Sequence, residues 1–90
     1  MPDFDLILWD DEDDLDGNVW HIRLNGLTPD EVEDALSGPG VRDVSSRSTG
    51  RSSSYASLLN GRSLFIVYEL SKEAGLVFLY PITAYELLQD

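Results

Sequence analysis

The chain lacks cysteine altogether and has one histidine, one lysine and one methionine among its 90 residues. Without cysteine there can be no disulfide framework and no thiolate zinc site, and this absence fits a reducing cytoplasm. No apolar run approaches the roughly 18 residues of a membrane-spanning helix, and the N-terminus lacks the basic region of a signal peptide. We therefore expect a soluble, cytoplasmic protein with a single domain over residues 1–90.

Basic residues are also scarce, because six Lys and Arg stand against 17 Asp and Glu, which gives a formal net charge of −11. Nucleic-acid binders rely on contacts from Lys and Arg to phosphate, so this charge disfavours RNA or DNA as a partner. An apolar fraction of 42% is nevertheless enough for a folded core. The charge balance favours a basic protein as the partner.

One segment, residues 44–68, contains no acidic residue and carries Arg47, Arg51 and Arg62 among serines and glycines. Guanidinium groups bind phosphate oxygens in a bidentate manner, so the three arginines are candidate catalytic and RNA-binding residues. Tyr55 lies in the same segment and could stack on a base. The alternative is that the arginines keep a serine-rich hairpin soluble and that the tyrosine packs in or beside the core.

Acidic residues are densest in residues 10–16, which read DDEDDLD. The spacing of Glu12, Asp14 and Asp16 is similar to that of a calcium-binding loop, but the twelfth position would be Arg23 instead of a bidentate Glu. There is also no glycine-rich phosphate loop and no dinucleotide fingerprint. We therefore predict neither a metal site nor a cofactor, and we interpret the acidic run as a turn that leads into a helix.

The first helix is predicted over Asn18–Asn25. Its apolar side would consist of Val19, Trp20, Ile22 and Leu24, and its polar side of Asn18, His21 and Asn25. His21 is the candidate general acid or base, because histidine alone has an unperturbed pKa near neutrality. The alternative is that His21 is an ordinary polar surface residue.

The second helix has the strongest local signals in the chain. Thr28 is the predicted N-cap, Pro29 occupies N1, and Glu31 at N3 completes a capping box. The helix should end at Ser37–Gly40. Its exposed side carries the candidate partner-binding residues Asp30, Glu33 and Asp34, which suit a basic protein.

Strand-like patterns cover most of the remaining chain. We predict strands over residues 4–9, 41–49, 52–59, 63–70 and 76–80, and a short closing helix over residues 84–88. Asn60-Gly61 is a hairpin signal, and residues 72–75 form a second turn. The element order is β-α-α-β-β-β-β-α, an α+β fold with a mostly antiparallel sheet and the helices on one face.

This arrangement resembles the BrnT family of type II toxins. The residues that carry the resemblance are Trp9-Asp10, Asn18, the run from Gly26 to Val32, Gly61-Arg62 before Val67-Tyr68, and Ala84 and Glu86. The resemblance implies a RelE-like ribonuclease scaffold that cleaves RNA in the cytoplasm. It also implies a partner antitoxin of the ribbon-helix-helix type.

The chain departs from the family where chemistry takes place. Family members carry a basic residue and a histidine before the glycine that ends the first helix, and here these positions hold Leu24 and Asn25. Ile82 stands where the family has an arginine in its last strand. Two functions therefore remain open: a metal-independent ribonuclease, or a non-catalytic acidic module that binds a basic protein or mimics nucleic acid.

Overall fold

A computed structural model describes residues 4–38, 41–44, 52–58 and 61–87. In chain order its elements are β1 (Leu6–Ile7), α1 (Asn18–Leu24), α2 (Pro29–Ser37), β2 (Arg42–Val44), β3 (Ser52–Ser57), β4 (Ser63–Glu73) and β5 (Leu76–Leu87). The strands form one sheet in the order β1-β5-β4-β3-β2, in which only the β1–β5 pair is parallel. The α+β fold class is therefore confirmed. Neither helix of this described part is long and apolar enough to span a membrane.

The helix α2 begins where the capping signals predict. The Thr28 hydroxyl accepts a hydrogen bond from the Glu31 N–H at 3.3 Å, and a Glu31 carboxylate oxygen accepts one from the Thr28 N–H at 3.0 Å. Its apolar side, Val32, Ala35 and Leu36, is fully buried. The prediction is confirmed because both capping bonds lie within four consecutive residues.

The core lies between the helices and one face of the sheet, which we call the covered face. Side chains of a strand alternate between the two faces of a sheet. Leu64, Ile66 and Tyr68 of β4 and Leu79 of β5 are accordingly buried on the covered face. The residues of α1, α2 and the linker between them that pack against this face are Ile22, Leu27, Val32, Ala35 and Leu36.

The two central strands are longer than predicted. They are joined by a tight turn at Ala74-Gly75, where both residues have positive φ, 52° and 80°. Such turns match the right-handed twist of a hairpin. Asn60 of the other predicted hairpin signal lies outside the described residues, and β3 and β4, the strands before and after it, pair in antiparallel fashion.

The predicted closing helix is wrong. Ala84 to Leu87 continue β5 and pair with β4, with Ala84 opposite Ile66 and Leu87 opposite Ser63. Local helix preference is overridden because this pairing satisfies the backbone groups of β5 that face β4. The first strand is also shorter than predicted, since only Leu6–Ile7 pair, and residues 45–49 of the predicted second strand lie outside the described residues.

β1 protects only the first part of the β5 edge. The N–H groups of Asp5 and Leu8 donate to the carbonyl oxygens of Val77 and Leu79, at 2.7 and 2.9 Å. Beyond Leu79 no described strand pairs with this edge of β5. An open edge exposes backbone carbonyls that need other donors.

Side-chain amides of α1 supply those donors. Asn18 Nδ2 donates to the Pro81 carbonyl oxygen at 2.8 Å, and Asn25 Nδ2 donates to the Ala84 carbonyl oxygen at 3.0 Å. Pro81 itself has no N–H to offer, and proline is tolerated in a sheet where the strand is locally an edge. α1 therefore replaces a sixth strand along the second half of β5.

This role corrects the predicted orientation of α1. Asn18 is 1% exposed, whereas Leu24 of the predicted apolar side is 74% exposed. The buried side is centred on Asn18, Val19 and Ile22, because the helix must turn its first amide toward the sheet edge. The sequence pattern separated polar from apolar residues, but it did not show which polar residue would be buried.

Candidate functional site

The acidic loop, Asp10–Asp16, is held at its start by Asn18. The Asp10 N–H donates to Asn18 Oδ1 at 2.8 Å, and the Asn18 N–H donates to Asp10 Oδ2 at 2.9 Å. The Tyr80 hydroxyl also donates to Asp10 Oδ2. These bonds connect the loop to the first residue of α1 and to β5, so the loop begins from a fixed base.

The rest of the loop is also ordered by its own backbone. The N–H groups of Asp14 and Gly17 donate to the carbonyl oxygens of Asp11 and Asp14, each at 3.0 Å. At position 17 a Cβ atom would lie 2.7 Å from the Asp10 Cβ, so glycine is required there for steric reasons. The five acids from Asp11 to Asp16 are exposed. Of these five, Glu12 alone forms an ion pair with a described residue, Arg23, at 3.5 Å.

The bond between Asp10 and Tyr80 changes the pKa of both groups. The hydrogen bond from Tyr80, then the backbone hydrogen bond from Asn18, lowers the pKa of Asp10 below its ordinary value, and the charge of His21 contributes. The hydrogen bond to Asp10, burial, and the negative charges of Asp10, Asp14 and Glu69 raise the pKa of Tyr80 to about 12. The hydrogen bond between the two side chains is the largest cause of both shifts.

The three candidate partner-binding acids of α2 differ in their surroundings. Asp30 and Asp34 are exposed, whereas Glu33 is half-buried and accepts a hydrogen bond from Trp9 Nε1 at 3.0 Å. Glu33 therefore helps to hold α2 against the chain that follows β1. Asp30 and Asp34 are the two members of this set that a partner can reach without breaking a contact.

Arg62 is the candidate phosphate-binding arginine whose position is described. Its guanidinium donates to Glu31 and, at 3.0 and 2.8 Å, to Oε1 of Glu86. Two carboxylates thus balance its charge, and they link the first turn of α2 to β5. A phosphate would have to displace both carboxylates, which makes Arg62 a structural residue in this state. Arg47 and Arg51 lie outside the described residues.

His21 and Tyr55 lie in different parts of the molecule. His21 is exposed on α1, and its Nδ1 lies 3.4 Å from the Ile82 carbonyl oxygen, at the β5 edge. Tyr55 is in β3, where its ring packs against that of Phe65 at a tilt of 56°, with centroids 4.9 Å apart. No hydrogen bond, ion pair or ring contact joins any two of the described candidates His21, Tyr55 and Arg62. Nor do the described residues contain a cluster of three or more acids and histidines that could hold a metal ion.

The outer face of the sheet, opposite the covered face, carries many apolar and aromatic side chains. By strand alternation and register these are Leu6, Leu8, Tyr55, Phe65, Val67, Leu76, Phe78, Tyr80, Tyr85 and Leu87, and the described polar residues of the same face include Ser53, Ser57, Ser63, Glu69, Ser71, Glu73 and Thr83. Five of the eight large hydrophobic side chains that are most exposed belong to this face. The sequence carries no clear signal for this face, because Leu76, Phe78 and Tyr80 alternate with Val77 and Leu79, which are also apolar.

The outer face has two distinct ends. At one end, Tyr55, Phe65 and Tyr85 form an aromatic row, with the second pair of centroids 5.4 Å apart. At the other end, Leu6, Leu8 and Leu76 lie around Phe78 and Tyr80. We call these five residues the apolar end. The two described carboxylates of this face, Glu69 and Glu73, lie beside the apolar end and not beside the aromatic row.

No protein-family model, curated protein or solved structure matches the chain. The geometry of the site and the surfaces around it therefore carry the functional argument.

Proposed function

We propose that the chain is a BrnT-like domain that binds a basic protein partner and does not cleave RNA. The observation that carries this proposal is the acidic loop, whose exposed carboxylates are presented from a base locked by Asp10, Asn18 and Tyr80. A rigid array of one charge sign gives complementarity with an oppositely charged partner without a large ordering cost. Asp30 and Asp34 of α2 extend the negative surface.

The residues that carry the BrnT resemblance have structural roles in this chain. Asp10 and Asn18 bond to each other, Thr28 and Glu31 form the capping box, and Arg62 pairs with carboxylates. A resemblance that rests on such residues supports a shared scaffold and its cytoplasmic setting, but it does not support a shared reaction. An antitoxin-type protein with a basic surface is the partner that agrees with both the scaffold and the charge.

The structure gives less support to metal-independent RNA cleavage than to the binding of a basic partner. Such cleavage needs a group that activates the 2′-hydroxyl and a cation that stabilises the phosphorane. His21 and Arg62 are engaged at separate places, the first at the β5 edge and the second between two carboxylates. The side chains of His21 and Arg62 do not contact each other.

Ribonuclease activity is the second candidate function, and the aromatic row favours it. Rings on an open sheet can stack on unpaired bases, and on the outer face no acid occupies the described positions in the row or in the neighbouring outer-face rows of β3, β4 and β5. The test is cleavage of a labelled single-stranded RNA in EDTA by the full chain and by Arg47→Ala/Arg51→Ala. Cleavage by the wild type that this variant loses would contradict the proposal.

The proposed function is tested with a labelled peptide of alternating lysine and alanine. We expect the wild type to bind it with a steep salt dependence, and Asp11→Asn/Asp13→Asn/Asp30→Asn/Asp34→Asn to weaken binding about tenfold or more at low salt. Leu24→Gln is the control, because it changes an exposed side chain of α1 and leaves the charge unchanged. Equal affinities of the wild type and the charge variant would refute the proposal.

A further inference from the structure

We propose that the apolar end of the outer face and the acidic loop beside it form one docking surface for a cationic amphipathic helix of a partner protein. This inference rests on the proposed function, because it accepts that the partner is basic. It adds the place where the partner docks and the chemistry of the segment that it inserts.

The first argument is the continuity of the exposed apolar surface. Leu6 is 50% and Leu76 43% exposed. Phe78 lies between them, because it pairs with Leu6 and is two residues after Leu76 on the same face of β5. Leu8 continues this patch beyond β1. Single exposed leucines need no explanation, but a contiguous apolar patch on one face of a sheet is typical of a surface that another layer covers.

The second argument is the charge beside this patch. Tyr80 belongs to the apolar end, and its hydroxyl donates to Asp10, the first residue of the acidic loop. Asp10 and the carbonyl oxygen of Asp14 both lie against Gly17, which places the middle of the loop near the same end of the sheet. Lys72, the one described cation of the β4–β5 hairpin, belongs to the covered side by strand alternation.

An apolar patch bordered by carboxylates fits one kind of segment best. An amphipathic helix can place its leucine-like side chains on Leu6, Leu76 and Phe78 and its lysine or arginine side chains on the acidic loop. A second copy of the chain is disfavoured, because each copy has a net charge of −11 and the loops would repel each other. RNA is disfavoured here for the same reason, since its phosphates would lie beside carboxylates.

The test uses the full chain and two labelled peptides of about 14 residues, which is about four helical turns. Both contain the same leucines and lysines, but one has all leucines on one side of the helix and the other has them scrambled. We expect the wild type to bind the amphipathic peptide about tenfold more tightly than the scrambled one. Leu6→Ser/Leu76→Ser should abolish this preference, whereas the control Leu24→Ser/Leu70→Ser, which alters exposed leucines away from the outer face, should keep it.

A second measurement needs no substitution. The amphipathic peptide should shift the amide resonances of residues 6–8 and 76–80 of the wild type and leave those of α2 unchanged. Equal binding of both peptides, or shifts confined to α2, would overturn the docking surface while the proposed binding of a basic partner stands. Failure of both peptides to bind at low salt would refute the proposed function as well.

The other occupants give different outcomes. If the wild type sediments as a dimer that Leu6→Ser/Leu76→Ser converts to a monomer, the apolar end is an interface between copies and the proposal is wrong. If single-stranded RNA displaces the amphipathic peptide and that variant loses RNA binding, the surface belongs to RNA and the proposal is wrong as well. A monomer whose peptide binding is unaffected by RNA supports it.

Discussion

On the covered face of β4, Leu64 and Ile66 are fully buried under the helices, whereas Phe65 and Val67, their neighbours in sequence, are half-buried on the outer face. All four residues favour strands, so the difference arises from what lies over each face. Residues of α1, α2 and the linker between them pack over Leu64 and Ile66 on the covered face. The outer face also carries large apolar side chains, but no described element covers them, which is why we assign interaction to the outer face and stability to the covered one.

The largest expected effect tests this difference in burial. Ile66→Ala should lower the free energy of unfolding by about 3–4 kcal/mol, because it opens a cavity in a close-packed core. Val67→Ala, one residue away on the outer face, should cost about 1 kcal/mol or less. The measurement is urea denaturation of both variants. Equal losses would show that the outer face is as important for folding as the covered face.

The next comparison is between the two asparagines that cap the β5 edge. Asn18→Ala should cost about 2–4 kcal/mol, because it leaves the Pro81 and Leu8 carbonyl oxygens and the Asp10 N–H without their buried partner. Asn25→Ala removes an exposed donor, and water can replace it, so about 0.5–1 kcal/mol is expected. Thermal unfolding of the two variants measures the difference. A larger loss for Asn25→Ala would contradict the role assigned to Asn18.

The third comparison concerns the bond between Tyr80 and Asp10, where the outer face meets the acidic loop, and its expected effect is smaller than that of Ile66→Ala or Asn18→Ala. Tyr80→Phe should cost about 1–2 kcal/mol at neutral pH, a value reduced by partial exposure to solvent. Because the pKa of Tyr80 is raised from 10.0 to about 12 in the folded state, its contribution is complete below about pH 10 and is lost as the pH rises toward 12. Because the pKa of Asp10 is lowered, the contribution of the carboxylate is lost on the acid side, as the pH falls below the ordinary value of 3.8.

The measurement is the difference in free energy of unfolding between wild type and Tyr80→Phe across that pH range. The difference should be largest between about pH 5 and 9 and should shrink toward both ends. Taking the difference removes the titration of the other tyrosines, which both proteins share. A difference that stays constant up to about pH 12 would show that the hydroxyl of Tyr80 does not stabilise the fold through Asp10.

Some of the candidate site could be predicted from sequence because its signals are local. The exposure of Asp30 and Asp34 follows from a helix whose apolar side is Val32, Ala35 and Leu36. The density of acids in residues 10–16 is visible in the sequence itself. The role of Arg62 could not be predicted in this way. Its residue type and position suggested phosphate binding, but Glu31 and Glu86, which balance its charge, are 31 and 24 residues away in the sequence.

The outer face could not be separated from the core by pattern alone. Leu76, Phe78 and Tyr80 alternate with Val77 and Leu79, and both sets are apolar, so the period shows two faces without showing which one the helices cover. The prediction of a closing helix is wrong for a related reason. Ala84 to Leu87 are compatible with a helix when taken alone, and only the register with β4 makes them strand.

The sequence by itself determined the boundaries of α2, the α+β class and the segregation of charge, because capping bonds, strand alternation and composition all act over a few residues. The tertiary structure alone decided that Asn18 is buried, that Arg62 is paired and that β5 runs to Leu87. Each of these depends on a partner distant in the chain, such as Pro81 for Asn18, 63 residues away. A buried polar group must find its partner wherever the fold brings one, and that distance in sequence leaves no local trace.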